Sequence, residues 1–248
     1  MVLPLYDENP FSKPILPWVT WGLMAINIVV FLLEVGGSDA SMRAMVATYG
    51  ATPSAIARNT AADAGIPPYL TLLTSIFLHG SFLHLFGNMI FLWVFGDNIE
   101  RALGRVRYLA FYLLCGIIGG VVFAFSAPQS KIELIGASGA IAGVVIAYAM
   151  LRPCARVTVL LWIIPLRVAA YWVIGLFVLT QLWNLGSSSK SEVAYWCHFG
   201  GMLAGAVLFP FLKPPGVKLF ECHPRMPDTV VQIGPKAGPW GPRPDDLR

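Results

Sequence analysis

The amino-acid sequence predicts an all-α fold, a polytopic membrane protein built as a bundle of six transmembrane helices. The composition is the first indication, because 56% of the 248 residues are hydrophobic and only 12% are charged. Soluble domains carry roughly 25% charged residues. Apolar runs of about 20 residues, long enough to cross a bilayer, recur along the chain. The basic residues are also distributed unevenly among the connections between these runs.

Six apolar runs are predicted to be transmembrane helices and are called the first to the sixth span. They cover residues 15–31, 76–96, 108–127, 134–151, 168–186 and 193–212. The first span is too long for a signal peptide and lacks a small-residue cleavage site, so we expect it to be retained. The chain then divides into a cytoplasmic N-terminal segment (1–14), a membrane domain (15–212) and a cytoplasmic tail (213–248). The tail is rich in proline and glycine and is predicted to be disordered.

The basic residues predict the orientation, because lysine and arginine concentrate on the cytoplasmic side of short membrane loops. If the N-terminus is cytoplasmic, 13 of the 17 basic residues fall on that side of the membrane. The other four are Arg43, Arg58, Lys131 and Lys190. We therefore expect both termini in the cytoplasm. The net charge of +4 reflects this orientation, and no nucleic-acid partner is expected.

The cysteines and the lack of repeats argue against other classes of protein. Cys115 and Cys197 lie in spans, whereas Cys154 lies in a loop and Cys222 in the tail. Because no C-x-x-C pair occurs, we expect neither a disulfide framework nor a zinc site. A transporter would show internal repeats, broken helices and charged residues at the midplane, and the sequence shows none of these.

One external connection, residues 36–70, is long enough to carry a function. Within it we expect a short amphipathic helix near Pro53–Arg58. No role is assigned to this connection from the sequence.

Polar residues near the outer ends of three spans suggest a reaction centre. The second, fourth and sixth spans run in the same direction and bring His84 with Asn88, Ser138, and His198 to similar depths. His84 and Asn88 are four residues apart, so they lie on one helix face. Ser138 lies just inside a helix N-terminus, where the helix dipole and free N–H groups favour a developing anion.

Small residues allow the fourth and sixth spans to meet, because each carries two glycines in the small-xxx-small pattern. They are Gly139 and Gly143 in the fourth span and Gly201 and Gly205 in the sixth. Close contact would let the Ser138 hydroxyl give its proton to the His198 imidazole. No acidic residue lies at this depth, so we predict a Ser-His dyad rather than a triad. His84, Asn88 and the Ser138 backbone N–H are the expected oxyanion donors.

These patterns also have simpler interpretations. Paired glycines usually indicate helix packing alone. His79, His84, Cys197 and His198 could instead bind a metal. On regular helices, however, the two histidines of the second span would diverge by about 140°, and the adjacent Cys197 and His198 by about 100°.

The fifth span carries two further polar residues near its outer end. Gln181 and Asn184 are three residues apart and share a helix face. We expect an interhelical hydrogen bond from this face rather than a contact with substrate. Both residues are therefore left outside the predicted site.

The segments "HGSFLHLFGNM", "GASGAIAG" and "HFGGMLAG", in this order on six spans, resemble the rhomboid family of intramembrane serine proteases. The resemblance covers the whole predicted membrane domain, and "ERALG" after the second span is similar to the family's cytoplasmic connector. It implies that Ser138 is the nucleophile and His198 its base. It also implies that His84 and Asn88 are oxyanion residues, with Gly136 contributing to the oxyanion surroundings.

The resemblance also implies a fold and a function. The serine helix would be short and central, beside a water-filled cavity open to the outer face. The enzyme would cut single-pass membrane proteins in or near the bilayer, without a metal or cofactor, and would reside in a bacterial cell membrane. A rhomboid-like protein that binds transmembrane clients without cutting them is the alternative, although both Ser138 and His198 are present. The sequence indicates no oligomeric state.

Two positions depart from the family pattern. Ala142 stands four residues after Ser138, where some rhomboids carry an aromatic ring that stacks on the catalytic histidine. His198 must therefore be held in another way. The Trp-Arg pair that many members carry in the first external loop is not evident before the second span, where the chain reads "PYLTLLTS".

Overall fold

A computed structural model describes residues 2–7, 16–60, 66–161, 164–186 and 195–222 of the chain. Most of these residues are helical, and a small β-sheet accompanies the helices. In chain order they form β1 (Val2–Asp7), α1 (Trp18–Val35), α2 (Asp39–Tyr49), α3 (Pro53–Arg58), α4 (Pro68–Thr74), α5 (Phe82–Leu103), α6 (Arg105–Ser126), α7 (Ser138–Leu151), β2 (Arg156–Leu161), β3 (Ile164–Ala169), α8 (Ala170–Gly186) and α9 (Tyr195–Leu212).

The helices confirm the predicted class, a helical polytopic membrane bundle. By length and composition, α1, α5, α6 and α9 could each cross a membrane. The apolar helices α7 and α8 are shorter, with 14 and 17 residues. At about 1.5 Å per residue, α7 is about 21 Å long, less than the roughly 30 Å thickness of a hydrocarbon core. It lies in the middle of the bundle and contacts α5, α6, α8 and α9.

The second predicted span is divided in the structure. A 3₁₀ turn, Ser75–Phe77, follows α4, and α5 begins only at Phe82. Ser81 caps α5, because its Oγ accepts a hydrogen bond from the His84 backbone N–H at 3.2 Å. His79 therefore precedes the helix, and the prediction that its ring diverges from that of His84 is wrong. The two rings pack edge to face, with centroids 5.1 Å apart.

The small sheet is a feature that the sequence did not predict. Its strands are antiparallel and lie in the order β1-β2-β3. Val157 and Val159 of β2 are buried against the core of the bundle. Asp7, at the end of β1, accepts a hydrogen bond from the Tyr148 hydroxyl of α7 at 2.7 Å. Burial raises the pKa of the Asp7 carboxyl. The N-terminal strand is thus attached to the helical bundle.

The segment "ERALG" supplies a helix cap and a turn. Helix α1 begins after Pro17, which offers no side-chain cap. The Glu100 carboxylate of α5 instead accepts hydrogen bonds from the backbone N–H groups of Val19 (3.0 Å) and Thr20 (2.8 Å) and from the Thr20 hydroxyl (2.8 Å). Gly104 has a φ of +78°, which glycine adopts readily, so α6 can begin immediately after α5. The connector therefore ties α1, α5 and α6 together.

A disulfide joins Cys154, between α7 and β2, to Cys222, beyond α9. This bond corrects our expectation that the cysteines form no disulfide framework. The two cysteines are 68 residues apart, so only the return of α8 and α9 to the same end of the bundle brings them together. Nearby, the Phe220 N–H donates to the Met150 carbonyl at 2.7 Å. The start of the predicted tail is thus packed on the bundle, whereas residues 223–248 lie outside the described residues and their disorder stays a prediction.

The long connection between α1 and α5 is largely helical where the structure describes it. It contains α2, α3 and α4, and α3 confirms the helix predicted at Pro53–Arg58. Ala51 and Leu134 form an antiparallel bridge, in which each backbone N–H donates to the other's carbonyl at 3.0 and 2.9 Å. The bridge holds this connection against the segment that leads into α7, and so supports the position of Ser138.

Candidate active site

Ser138 and His198 lie together at one end of the bundle. Ser138 is the first residue of α7, and His198 lies in the first turn of α9. The Ser138 Oγ is 2.7 Å from the His198 Nε2, a hydrogen-bonding distance. Both side chains are partly buried. An imidazole nitrogen in this place can accept the hydroxyl proton and so make the oxygen more nucleophilic.

The paired glycines of α7 and α9 bring the two helices into main-chain contact, which confirms the predicted packing. A Cβ atom added to Gly205 would lie 2.6 Å from the Gly143 Cα. A Cβ added to Gly201 would overlap the carbonyl oxygen of Gly139. Neither position can hold a side chain unless a helix moves. The spacing of the serine and histidine helices is therefore set by their backbones.

The second ring nitrogen of His198 also has a partner. His198 Nδ1 lies 2.7 Å from the Oε1 atom of Gln181 on α8. The Tyr195 ring stands edge-on to the imidazole, with centroids 6.2 Å apart. Gln181 makes the expected interhelical hydrogen bond, but it belongs to the site because its partner is His198. The Asn184 amide instead donates to the Thr180 carbonyl of its own helix at 2.7 Å.

His84 and Asn88 face the residues that precede Ser138. Gly136 has a φ of +116°, which residues with side chains rarely adopt. A Cβ atom at this position would lie 2.7 Å from His84 Nε2 and 3.7 Å from Asn88 Nδ2. The Gly136 N–H donates to the Ser75 carbonyl at 2.9 Å and is therefore already in use. Gly136 thus shapes the site by leaving room for the His84 ring.

Two further residues, Glu34 and His79, support Asn88, and neither role was predicted from the sequence. Asn88 Nδ2 lies 2.9 Å from His79 Nε2. An amide nitrogen is only a donor, so His79 Nε2 accepts and the Nδ1–H faces the Phe77 carbonyl at 3.3 Å. The His79 backbone N–H lies 3.1 Å from both carboxylate oxygens of Glu34. Because both ring nitrogens of His79 already have hydrogen-bonding partners, neither is free to bind a metal ion.

Sequence signals for the missed residues exist but are weak. Glu34 is an acidic residue placed directly after an apolar run, and it is only 1% exposed in the structure. Gln181 is a polar residue within an apolar span. Such residues are often functional in membrane proteins, yet their partners cannot be identified without the fold.

The fold and the polar end of the bundle define a class, an integral multi-pass helical membrane protein whose polar side chains converge among the spans. A family model described as the Rhomboid domain matches residues 68–214. The match covers more than half of the chain and includes His84, Asn88, Ser138 and His198. The chain belongs to the rhomboid family.

Several curated proteins are similar to this chain. Rhomboid protease GluP of Bacillus subtilis is 36% identical over 129 residues, which cover 51% of this chain and 23% of GluP. RHOMBOID-like protein 5 of Arabidopsis thaliana is 32% identical over 137 residues, which cover 55% of this chain and 42% of that protein. Putative rhomboid protease YdcA of Bacillus subtilis is 40% identical over 72 residues, 29% of this chain and 36% of YdcA. The chain spans less than half the length of each of these relatives.

Proposed function

We propose that the protein is an intramembrane serine protease in which Ser138 is the nucleophile and His198 is the general base. The observation that carries this proposal is the 2.7 Å contact between Ser138 Oγ and His198 Nε2 at the N-terminus of a short central helix. Two of the similar proteins, GluP and YdcA, have the word protease in their names. The family and the geometry therefore favour the same chemistry.

The reaction proceeds through an acyl-enzyme. Ser138 Oγ attacks the scissile carbonyl while His198 Nε2 takes the hydroxyl proton. His198 then gives this proton to the leaving amine, and the peptide bond breaks. A water molecule, deprotonated by the same imidazole, hydrolyses the ester and releases Ser138. Each step uses side chains of the protein and water, and none requires a metal or cofactor.

The negative oxygen formed by the attack is stabilised by donors from α5 and by the N-terminus of α7. His84 and Asn88 point toward the segment that precedes Ser138. Asn88 gives one amide hydrogen to His79, and the amide carries a second hydrogen for the oxyanion. The positive end of the α7 dipole and the Ser138 backbone N–H act on the same oxygen.

The substrates are single-pass membrane proteins that enter the site from the bilayer. An intact substrate helix hides its carbonyl groups in hydrogen bonds, so the segment that is cut must unwind first. The predicted orientation places the Ser138 end of the bundle at the outer face and both termini in the cytoplasm of a bacterial cell. Asp7 of β1, Arg152 after α7 and Cys222 beyond α9 lie at the opposite end of the bundle, so β1 and the segment that follows α9 are on one side.

A serine-directed fluorophosphonate probe tests the proposal on the purified protein. The wild-type chain should be labelled at Ser138, whereas Ser138→Ala and His198→Ala should lose labelling and also fail to cleave a transmembrane substrate. Ser126→Ala is the matched control, because Ser126 is an exposed helical serine that donates to its own helix at Phe123. This control should label at the wild-type rate.

The outcomes separate the proposed protease from a client-binding protein. Labelling of Ser138→Ala at the wild-type level would place the nucleophile elsewhere. A folded wild-type chain that neither labels nor cleaves, but still retains transmembrane clients, would contradict the protease proposal. Thermal melts of each variant show whether a lost signal is a loss of folding.

A further inference from the structure

Gln181 is placed where a serine protease triad has its third member, on the far side of the histidine from the serine. Its Oε1 atom lies 2.7 Å from His198 Nδ1, and Ser138 Oγ lies 2.7 Å from His198 Nε2 on the opposite edge of the ring. The three side chains come from three different helices, α8, α9 and α7. They therefore form one line of hydrogen bonds across the outer end of the bundle.

The amide oxygen of Gln181 determines which nitrogen of the His198 imidazole carries the proton. Gln181 Oε1 can only accept a hydrogen bond, so it selects the imidazole tautomer that carries its proton on Nδ1. In that tautomer Nε2 has a free lone pair and faces the Ser138 hydroxyl. The other tautomer would present an N–H to Ser138 and could not take its proton. The choice of tautomer thus decides whether His198 can act as a base.

Among the described residues, the Tyr195 ring is the other neighbour that contacts the His198 imidazole. Ala142 stands where some rhomboids carry a stacking aromatic ring, and the Tyr195 ring is edge-on to the imidazole, with centroids 6.2 Å apart. An edge-on ring restricts the tilt of an imidazole but does not distinguish its two nitrogens. The hydrogen bond from His198 Nδ1 to Gln181 does distinguish them, because it involves only one of the two.

We propose that Gln181 is a positioning residue that holds His198 in the Nδ1–H tautomer and aims its Nε2 at Ser138. This inference rests on the proposed function, in which His198 is the base. A glutamine can hold the tautomer without adding a negative charge to an apolar region, where a carboxylate would be costly. The site is thus a neutral counterpart of the Ser-His-Asp arrangement, in which the third residue also fixes the tautomer.

The tautomer can be measured without any activity. Protein labelled with ¹⁵N-histidine is studied by NMR at pH 8, above the ordinary histidine pKa of about 6.5, so that neutral imidazoles dominate. The His198 signals are assigned by their loss in His198→Ala. In the wild type we expect a protonated Nδ1 and an unprotonated Nε2. In Gln181→Leu the Nε2–H tautomer should gain population, whereas Gln181→Glu, which keeps an acceptor oxygen, should retain the Nδ1–H form.

Labelling kinetics provide the second readout. Gln181→Leu should react with the fluorophosphonate about 10 to 100 times more slowly, the range typical when the partner that orients a metal-binding histidine is removed. The loss should lie in the rate at saturating probe rather than in probe affinity. Gln181→Glu should restore most of the rate. Thr180→Val is the matched control, because the Thr180 hydroxyl donates to Phe177 of its own helix, and it should change neither readout.

The possible results distinguish this inference from the proposed function. If Gln181→Leu keeps the wild-type tautomer and the wild-type labelling rate, Gln181 is only an interhelical contact and the inference is wrong. If the wild type never labels, the protease proposal fails, while the NMR comparison still decides whether Gln181 sets the tautomer. Should Gln181→Leu fail to fold, Gln181→Met, which is similar in shape and lacks the amide oxygen, takes its place.

Discussion

The backbone N–H of His79 is held 3.1 Å from each carboxylate oxygen of Glu34, although the two residues are 45 positions apart. Glu34 lies at the end of α1, and His79 lies in the loop that enters α5. The His79 ring in turn accepts a hydrogen bond from the Asn88 amide. A residue of the first helix is therefore linked through His79 to Asn88, the proposed oxyanion donor, which it does not touch.

Replacing Glu34 should weaken this support. In Glu34→Leu the buried N–H of His79 loses a charged acceptor, an interaction typically worth about 1.5–3 kcal/mol. We expect a lower melting temperature and a slower turnover, with a smaller loss of turnover than in a direct Asn88 variant. Steady-state cleavage of a transmembrane substrate and thermal melts measure the two effects. Glu133→Gln, in the segment before α7, is the control, and a Glu34→Leu protein with unchanged melting and turnover would contradict this prediction.

The oxyanion assignment predicts a kinetic loss in Asn88→Ala and His84→Ala. Removing one preorganised donor typically costs about 2.7–4 kcal/mol, or 10² to 10³ in turnover. Asn88→Ala should therefore be slow rather than inactive, because the helix N-terminus still contributes. The loss should appear in turnover more than in substrate affinity, since the oxygen becomes negative only after attack. His84→Ala should be slower still, because the His84 ring also packs against His79. Unchanged turnover in both variants would show that these residues of α5 take no part in the reaction.

The glycine contact predicts that Gly205→Ala damages both stability and labelling. The added methyl would lie 2.6 Å from the Gly143 Cα, so α9 must move away from α7 and take His198 with it. We expect a lower melting temperature and a lower labelling rate in molecules that remain folded. Gly22→Ala is the control, because a Cβ there meets no atom within 4 Å and alanine favours a helix by up to about 1 kcal/mol. Equal behaviour of the two variants would show that the close contact does not position the dyad.

The orientation predicts which ends of the bundle an impermeant thiol reagent can reach in intact cells. The exposed residues Arg105 and Lys131 lie at opposite ends of α6 and its following segment. Arg105→Cys should be protected until the membrane is opened, whereas Lys131→Cys should react at once. The native Cys115 and Cys197 are buried and should stay silent. The reverse pattern would place the Ser138 end of the bundle in the cytoplasm.

The sequence predicts those parts of the molecule whose signals are local. Apolar runs give the spans because a bilayer demands about 20 apolar residues. The position of Ser138 near a helix N-terminus and the close contact of the paired glycines follow from short motifs, although the predicted span began four residues before α7 does. The early start predicted for the second span fails because Ser81 caps α5, and an apolar run does not show where a helix is interrupted.

The missed features depend on contacts between distant segments. Glu100 caps α1 from 80 residues away, Cys154 meets Cys222 after 68 residues, and β1 pairs with β2 across most of the chain. A single sequence contains no spacing rule for such pairs. Gln181 is the same case within the site, since its polar face is visible in the sequence but its partner His198 is found only when α8 and α9 come together.

The contacts of Gly139 with Gly201 and of Gly143 with Gly205, between α7 and α9, also have a mechanical consequence. Helices that touch through long side chains can slide or tilt as those side chains change rotamer, whereas here main-chain atoms are already in contact. Such a contact resists compression, because no smaller atom can take its place. Lateral pressure in the bilayer varies with lipid shape and temperature, and it reaches the largely buried α7 through the helices packed around it. We expect Ser138 and His198 to keep their separation across lipids that would deform a helix pair packed through long side chains.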